Sequence, residues 1–349
     1  MKNLPAINIL LTFDYELPLG GITKSFDHSL FEPTRLLLDF AKNMQIPLVF
    51  FADIHSYIRF KEESINNYTD VFREQMQYAI RNNHDVQLHL HPHWLETKVN
   101  DHTFIPSEKF KLADFYENKN SPNINQIIYK GTKALTDICK EIDPEYKCIA
   151  YRGGGYNLAP RTYEIIASLM KQGIRYDSSV VPGYYFLSAQ NKVDFRNIPD
   201  KPNWFISPEN NLEKEGNNGL WEIPVASIPK SPFEVPTSLK MKKYAYRAAE
   251  SRGRMIHNNS KTSLRQKFNI LMANRMLTVD NYTYSPKYLM KILNYHIQKF
   301  RMYDEISLAL IGHPKTMGNY SFELLEYFIR NVKKTYGNNA RFTTFRNLK

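Results

Sequence analysis

Six short apolar runs constrain this chain more than any other feature. They fall at residues 7–13, 47–51, 86–90, 148–151, 220–225 and 308–311, and each is rich in β-branched or aromatic side chains. A strand with one wet face alternates apolar and polar residues, whereas a strand covered on both faces stays apolar throughout. Continuous runs of this length therefore predict parallel strands packed between helices. Helical spacing fills the gaps. Ile124, Ile127, Ile128, Leu135 and Ile138 form one stripe, and Leu289, Ile292, Leu293, Ile297 and Phe300 form another. Pro160 suits the first turn of a helix over 161–172 that ends at Gly173. Ser321 is expected to cap a helix over 322–336, after which 341–345 returns as a strand. Strand alternating with helix points to an α/β barrel or a doubly wound sheet. The alternation runs nearly end to end through all 349 residues, which predicts one domain over 1–349 with an insertion.

The insertion is expected at 230–285, where the rhythm breaks. Lys240, Lys242, Lys243, Arg247, Arg252, Arg254, Lys261, Arg265, Lys267 and Arg275 crowd it, punctuated by Tyr244, Tyr246, Phe268 and Met272, and it reads as partly helical. It accounts for much of a formal charge of +11, which favours an anionic partner: nucleic acid, a membrane face, or a phosphate-bearing or acidic sugar. Only two cysteines occur, Cys139 and Cys148, with no metal or redox spacing, and they read as buried thiols. The apolar run near the amino terminus is short and leads straight into Asp14, unlike a signal peptide. No stretch approaches the roughly 20 apolar residues that a spanning helix needs. The expectation is a cytoplasmic protein, with the insertion available for contact with the inner membrane surface.

Chemistry concentrates at strand ends. Four of the ten histidines, His84, His89, His91 and His93, fall within one short segment. Imidazole is a favoured ligand of zinc and similar metals. His89, His91 and His93 share a parity, so an extended chain points them to one side, and Pro92 turns the segment into a loop. Asp14 and Glu16, two apart at the end of the first run, supply carboxylates for a metal or for proton transfer. Arg152 precedes Gly153, Gly154 and Gly155, a turn whose backbone can approach a ligand closely. His313 ends the run at 308–311, a place that suits a general acid.

The order of these motifs resembles the NodB-type polysaccharide deacetylases, carbohydrate esterase family four. Thr12-Phe13-Asp14-Tyr15-Glu16 resembles the family's strand-end acid pair, and His89 with His93 its His-x-x-x-His motif. Tyr151 to Tyr156 is similar to the Arg-containing loop, Tyr176-Asp177-Ser178-Ser179 to the Asp-x-Ser loop, and Leu310 to His313 to the late Leu-x-His. The resemblance spans about residues 7 to 345 and implies a distorted (β/α) barrel of about seven strands. It further implies one divalent metal ion, in the first instance zinc, held by His89, His93 and Glu16. Asp14 would be the general base, oriented by Arg152. His313 would be the general acid, with Asp177 holding its ring or the neighbouring loop. The backbone near Gly155 or Tyr156 would stabilise an oxyanion, and Trp94 joins them as a substrate contact. Two departures stand out. Tyr15 occupies the place of the family's second adjacent acid, so Asp14 and Glu16 are open to an exchange of roles. His91 is additional, a contact to substrate or metal or a solvent-exposed ring.

The activity so implied is removal of an acetyl or formyl group from an amino sugar, nucleotide-linked or lipid-linked, in surface-polysaccharide synthesis. Two rival readings are a glycan-binding protein without catalysis and a nucleic-acid binder using the basic insertion. The second leaves the histidines and carboxylates unexplained, so no nucleic-acid partner is expected.

Overall fold

The apolar runs become strands because both of their faces are buried, one beneath helices and one inside the barrel. A computed structural model describes residues 4–101, 103–116, 122–187, 191–230, 263–280, 283 and 285–348. Seven parallel strands carry the architecture: β1 (Ala6–Tyr15), β2 (Val49–Asp53), β3 (Asp85–Leu90), β4 (Ala150–Gly153), β5 (Tyr176–Asp177), β6 (Leu220–Glu222) and β7 (Glu305–Gly312). They lie side by side in the order β6–β5–β4–β3–β2–β1–β7. Trp204–Ile206 adds an antiparallel edge to β6, and Ala340–Thr343 pairs with the first half of β1.

The sheet curls until its two edges meet. Beyond β6 the backbone N–H of Ala226 donates to Ala309 O at 3.0 Å, and Ala309 N–H donates to Pro224 O at 3.0 Å. Higher up, Leu277 and Val279 wedge into the seam, Leu277 N–H donating to Ala226 O and Val279 N–H to Ile311 O at 2.6 and 3.2 Å. Irregular backbone thus bridges the edges where a regular strand would close them. This is a distorted (β/α) barrel.

Strand parity divides the barrel into two environments. From β1, Ile7, Ile9, Leu11, Phe13 and Tyr15 join the large core beneath the surrounding helices, while Leu10 joins Val49, Phe51, Ile149, Ala150, Tyr176, Ile223 and Phe345 in a smaller cluster. Residues two and four beyond Leu10 are Thr12 and Asp14, so the same inward parity that builds an apolar floor also carries the first carboxylate.

The helices are α1 (Glu32–Met44), α2 (Ile54–Glu62), α3 (Asn66–Arg81), α4 (Ile124–Lys140), α5 (Thr162–Lys171), α6 (Leu264–Met272), α7 (Pro286–Lys299) and α8 (Asn319–Tyr336). The stripe expected on α4 is buried, and Asn123 caps it, accepting from Gln126 N–H at 3.0 Å. Two expected starts move. Arg161 adopts a left-handed φ of 71°, so α5 begins at Thr162 and Pro160 stands outside its first turn. Gly318, in extended backbone, caps α8, which places Ser321 at the third helical position. Both cysteines are free and buried. The expected basic insertion lies largely outside the described residues, including every basic residue named from Lys240 to Lys261. Among the described residues no helix is long and apolar enough to cross a membrane.

Candidate metal centre

Each of the seven strands delivers a polar or charged residue at or just past its carboxyl end, where barrel folds gather their chemistry. Asp14 and Glu16 come from β1, Asp53 from β2, His89 and His91 from β3, Arg152 from β4, Asp177 from β5, Glu222 from β6 and His313 from β7. All but His313 are buried.

The tautomer of His89 is set by its neighbour on the next strand. Its Nδ1 lies 2.8 Å from the carbonyl of Arg152, which can only accept, so Nδ1 carries the proton and Nε2 is left as the base. That Nε2 faces Glu16 Oε2 at 3.2 Å and Asp14 Oδ2 at 3.9 Å. His91 Nε2 meets the same Glu16 oxygen, but without the geometry of a hydrogen bond. Donor atoms of Glu16, His89 and His91 all lie within 4.8 Å of one another. Two buried imidazole nitrogens converging on one carboxylate oxygen need a cation among them, either a proton or a metal ion. Two histidines and a carboxylate are a donor set that zinc accepts. The residues fit the metal that the motif resemblance implied.

His93 stands beside this group and not within it. The chain leaves β3 at Leu90, and Pro92–Glu96 forms a 3₁₀ turn, so the two-residue alternation that aligns His91 with His89 stops there. The His93 ring packs on Trp94 and Phe110 at 5.0 and 5.1 Å, fully buried, with no hydrogen-bond partner for either nitrogen among the described residues. Burial, with the neighbouring His91, pushes its pKa well below the ordinary histidine value.

Asp14 is held from one side only. Arg152 Nη1 donates to its Oδ1 at 2.7 Å, while Oδ2 faces His89 and, at 3.6 Å, His313 Nε2. Arg152 is itself immobilised: it donates to Thr12 Oγ1, Ser178 O and Ser178 Oγ at 2.8 to 2.9 Å, and its guanidinium lies 4.3 Å above the Phe51 ring. Glu16 is also paired. Burial acts to raise its carboxyl, but the Lys315 ammonium and the His91 and His89 rings outweigh it and hold the pKa well below the usual range.

His313 closes the opposite side. Asp280 accepts from its backbone N–H and sits against Nδ1, both at 2.8 Å, and Thr278 and Thr316 hydroxyls steady the carboxylate. Burial disfavours the charged ring, but Asp280, then Asp14 and Glu16, carry its pKa up to about 9.

No protein-family model matches the chain, and no curated protein matches it in sequence. Solved structures align with it in fold. The Puue allantoinase aligns over 98% of this chain and 89% of its own, at 10% identity and a TM-score of 0.50. The catalytic domain of a peptidoglycan N-acetylglucosamine deacetylase from Eubacterium rectale ATCC 33656 aligns over 98% and 90%, at 11% identity and a TM-score of 0.39. A peptidoglycan N-acetylglucosamine deacetylase named Bc1960 aligns over 98% and 91%, with the same identity and score. The barrel fold is shared with the allantoinase.

On this barrel Asp177 takes the second of its two expected posts, the loop and not the ring. Asp177 turns to its own loop, accepting from Ser179 N–H and Oγ at 2.8 Å each, and faces Glu222. The ring of His313 is held by Asp280 instead, a residue inside the stretch read as insertion. Trp94 is 1% exposed, so it is a wall of the site and not a substrate contact; its indole N–H donates to Asp53 Oδ2 at 2.6 Å. Asp53, which motif reasoning missed, also accepts from His91 N–H at 3.3 Å, and burial raises its pKa to about 6. Gly155 and Tyr156 both have positive φ, 59° and 63°, and a Cβ on Gly154 would stand 2.5 Å from Leu90 O and 2.7 Å from His91 Nδ1. The glycine turn thus presses its backbone against a candidate ligand. Lys315 was missed as well, since nothing in Pro314-Lys315-Thr316 marks it before folding.

Proposed function

We propose that the protein is a metal-dependent amide hydrolase that removes an N-acetyl or N-formyl group from an amino sugar. The convergence of Glu16, His89 and His91, with Asp14 on one flank and His313 on the other, carries this reading. Glu16, His89 and His91 would hold zinc, and His93, whose nitrogens have no hydrogen-bond partner among the described residues, is the reserve donor beside them. The ion would polarise the acyl oxygen and acidify water. The remaining work falls to the chain. Arg152 occupies Asp14 Oδ1, so Oδ2 is the base that takes a proton from the attacking water. Backbone N–H groups of the Gly155–Tyr156 turn would face the developing oxyanion. His313, charged at neutral pH, donates from Nε2 to the departing nitrogen while Asp280 keeps the ring oriented through Nδ1. An amine without that proton is a very poor leaving group. The products are a free amino sugar and acetate or formate.

The positive charge of 230–285 suits a substrate carried on phosphate, whether a sugar nucleotide or a lipid-linked sugar, and in the latter case a membrane face. Such a role belongs to surface-polysaccharide synthesis. The test is release of acetate or formate from N-acetyl and N-formyl amino sugars, free and nucleotide-linked, by zinc-loaded protein. Asp14→Asn should slow release by about 10²- to 10⁴-fold, the usual scale of a lost general base. Zinc-loaded protein that binds these sugars but releases nothing would be a glycan-binding protein on the same fold.

A further inference from the structure

Three carboxylates around the centre each have a cation of their own. Arg152 holds Asp14, His313 holds Asp280, and Lys315 holds Glu16. The Glu16 pairing differs from the others because Glu16 is also a candidate ligand. Lys315 leaves the turn after His313 and is only 12% exposed, although a lysine ordinarily keeps its ammonium in water. Its Nζ donates to Glu16 Oε1 at 2.7 Å and to Leu17 O at 3.2 Å. The other oxygen, Oε2, is the one that faces His89 and His91. The two carboxylate oxygens therefore have separate duties.

We propose that Lys315 is a positioning residue that restricts Glu16 to a one-oxygen ligand and weakens, by design of charge, the grip of the centre on its metal. The proposal rests on the reading of Glu16, His89 and His91 as ligands. A cation on Oε1 withdraws electron density from the carboxylate and stands one carboxylate away from a divalent ion. Removing it makes the ligand more basic and frees its second oxygen. Both changes favour the ion, and together they exceed the cost of a less ordered glutamate. A tighter, more electron-rich centre is also a poorer electrophile, so turnover falls while substrate binding does not.

Lys315→Met and Lys315→Gln test this, the glutamine retaining a donor for Leu17 O should the methionine disturb the turn. Zinc affinity, by competition with a chromogenic chelator, is expected to tighten about tenfold in both, within the range that outer-shell partners command. Cobalt(II)-substituted variants should lose visible absorption intensity as a second oxygen joins the ion. Activity should fall about tenfold in kcat with KM nearly unchanged, and Lys315→Arg should restore all three readouts. Parent protein that binds zinc while both variants bind it within twofold of the parent would overturn the role of Lys315 alone. Parent protein that binds no zinc would overturn the ligand reading and the proposal with it.

Discussion

At His313 the two ring nitrogens meet different chemistry, and the pH behaviour follows from that. Nδ1 is committed to Asp280, and Nε2 faces Asp14 and Glu16 at 3.6 and 3.7 Å. The ring stays charged up to about 9 in the folded protein, against about 6.5 unfolded. A raised histidine contributes stability that is complete below the unfolded value and is lost as pH rises through the folded one. Turnover should therefore fall on the alkaline side near pH 9. Asp280→Asn removes the largest stabiliser of the charge, so that limb should move to lower pH in a kcat profile; an unmoved limb would mean that another group titrates there. At Asp14, losing the carboxylate also leaves Arg152 buried without its ion-pair partner. Asp14→Asn should therefore lower stability as well as rate, and chemical denaturation should read about 1–3 kcal/mol.

At the scale of elements, packing beneath the site holds its geometry. Phe51 lies in the barrel floor under the Arg152 guanidinium and against Phe345, ring centroids 5.6 Å apart. Phe51→Ala should cost about 3–5 kcal/mol in denaturant titration, and activity should suffer beyond it because Arg152 loses its platform. The glycine turn is tighter still. Gly154→Ala drives a methyl into Leu90 O and His91, and weaker zinc binding should accompany a lowered Tm. Most of these elements were legible in the sequence, because strands covered on both faces stay apolar without interruption. What was not legible has physical causes. The two residues of β5 are too few to show a period. Asp280 sits in a stretch whose basic composition masked the seam strand entering the barrel. His91 and His93 share the parity of His89 in an extended chain, and only the 3₁₀ turn that starts at Pro92 separates them. Lys315 acts through a contact nearly 300 positions away in the chain, and no local pattern records it.

Across the whole molecule, the barrel brings acids from its first strand to imidazoles from its third and to a histidine from its last. Holding so many like charges in one buried cavity is costly unless cations sit among them. Arg152, Lys315 and the charged His313 supply part of that requirement, and the donor set of Glu16, His89 and His91 calls for the rest. A ligand that binds only the folded state stabilises it by mass action, so zinc should raise Tm and chelation should lower it. The most direct measurement is metal content by elemental analysis of purified protein dialysed against zinc and then against metal-free buffer. One zinc per chain is expected in the parent, none in His89→Ala or Glu16→Gln, and a reduced but measurable amount in His91→Ala. Stoichiometric zinc retained in His89→Ala, or none in the parent, would contradict the metal centre on which the hydrolase reading stands.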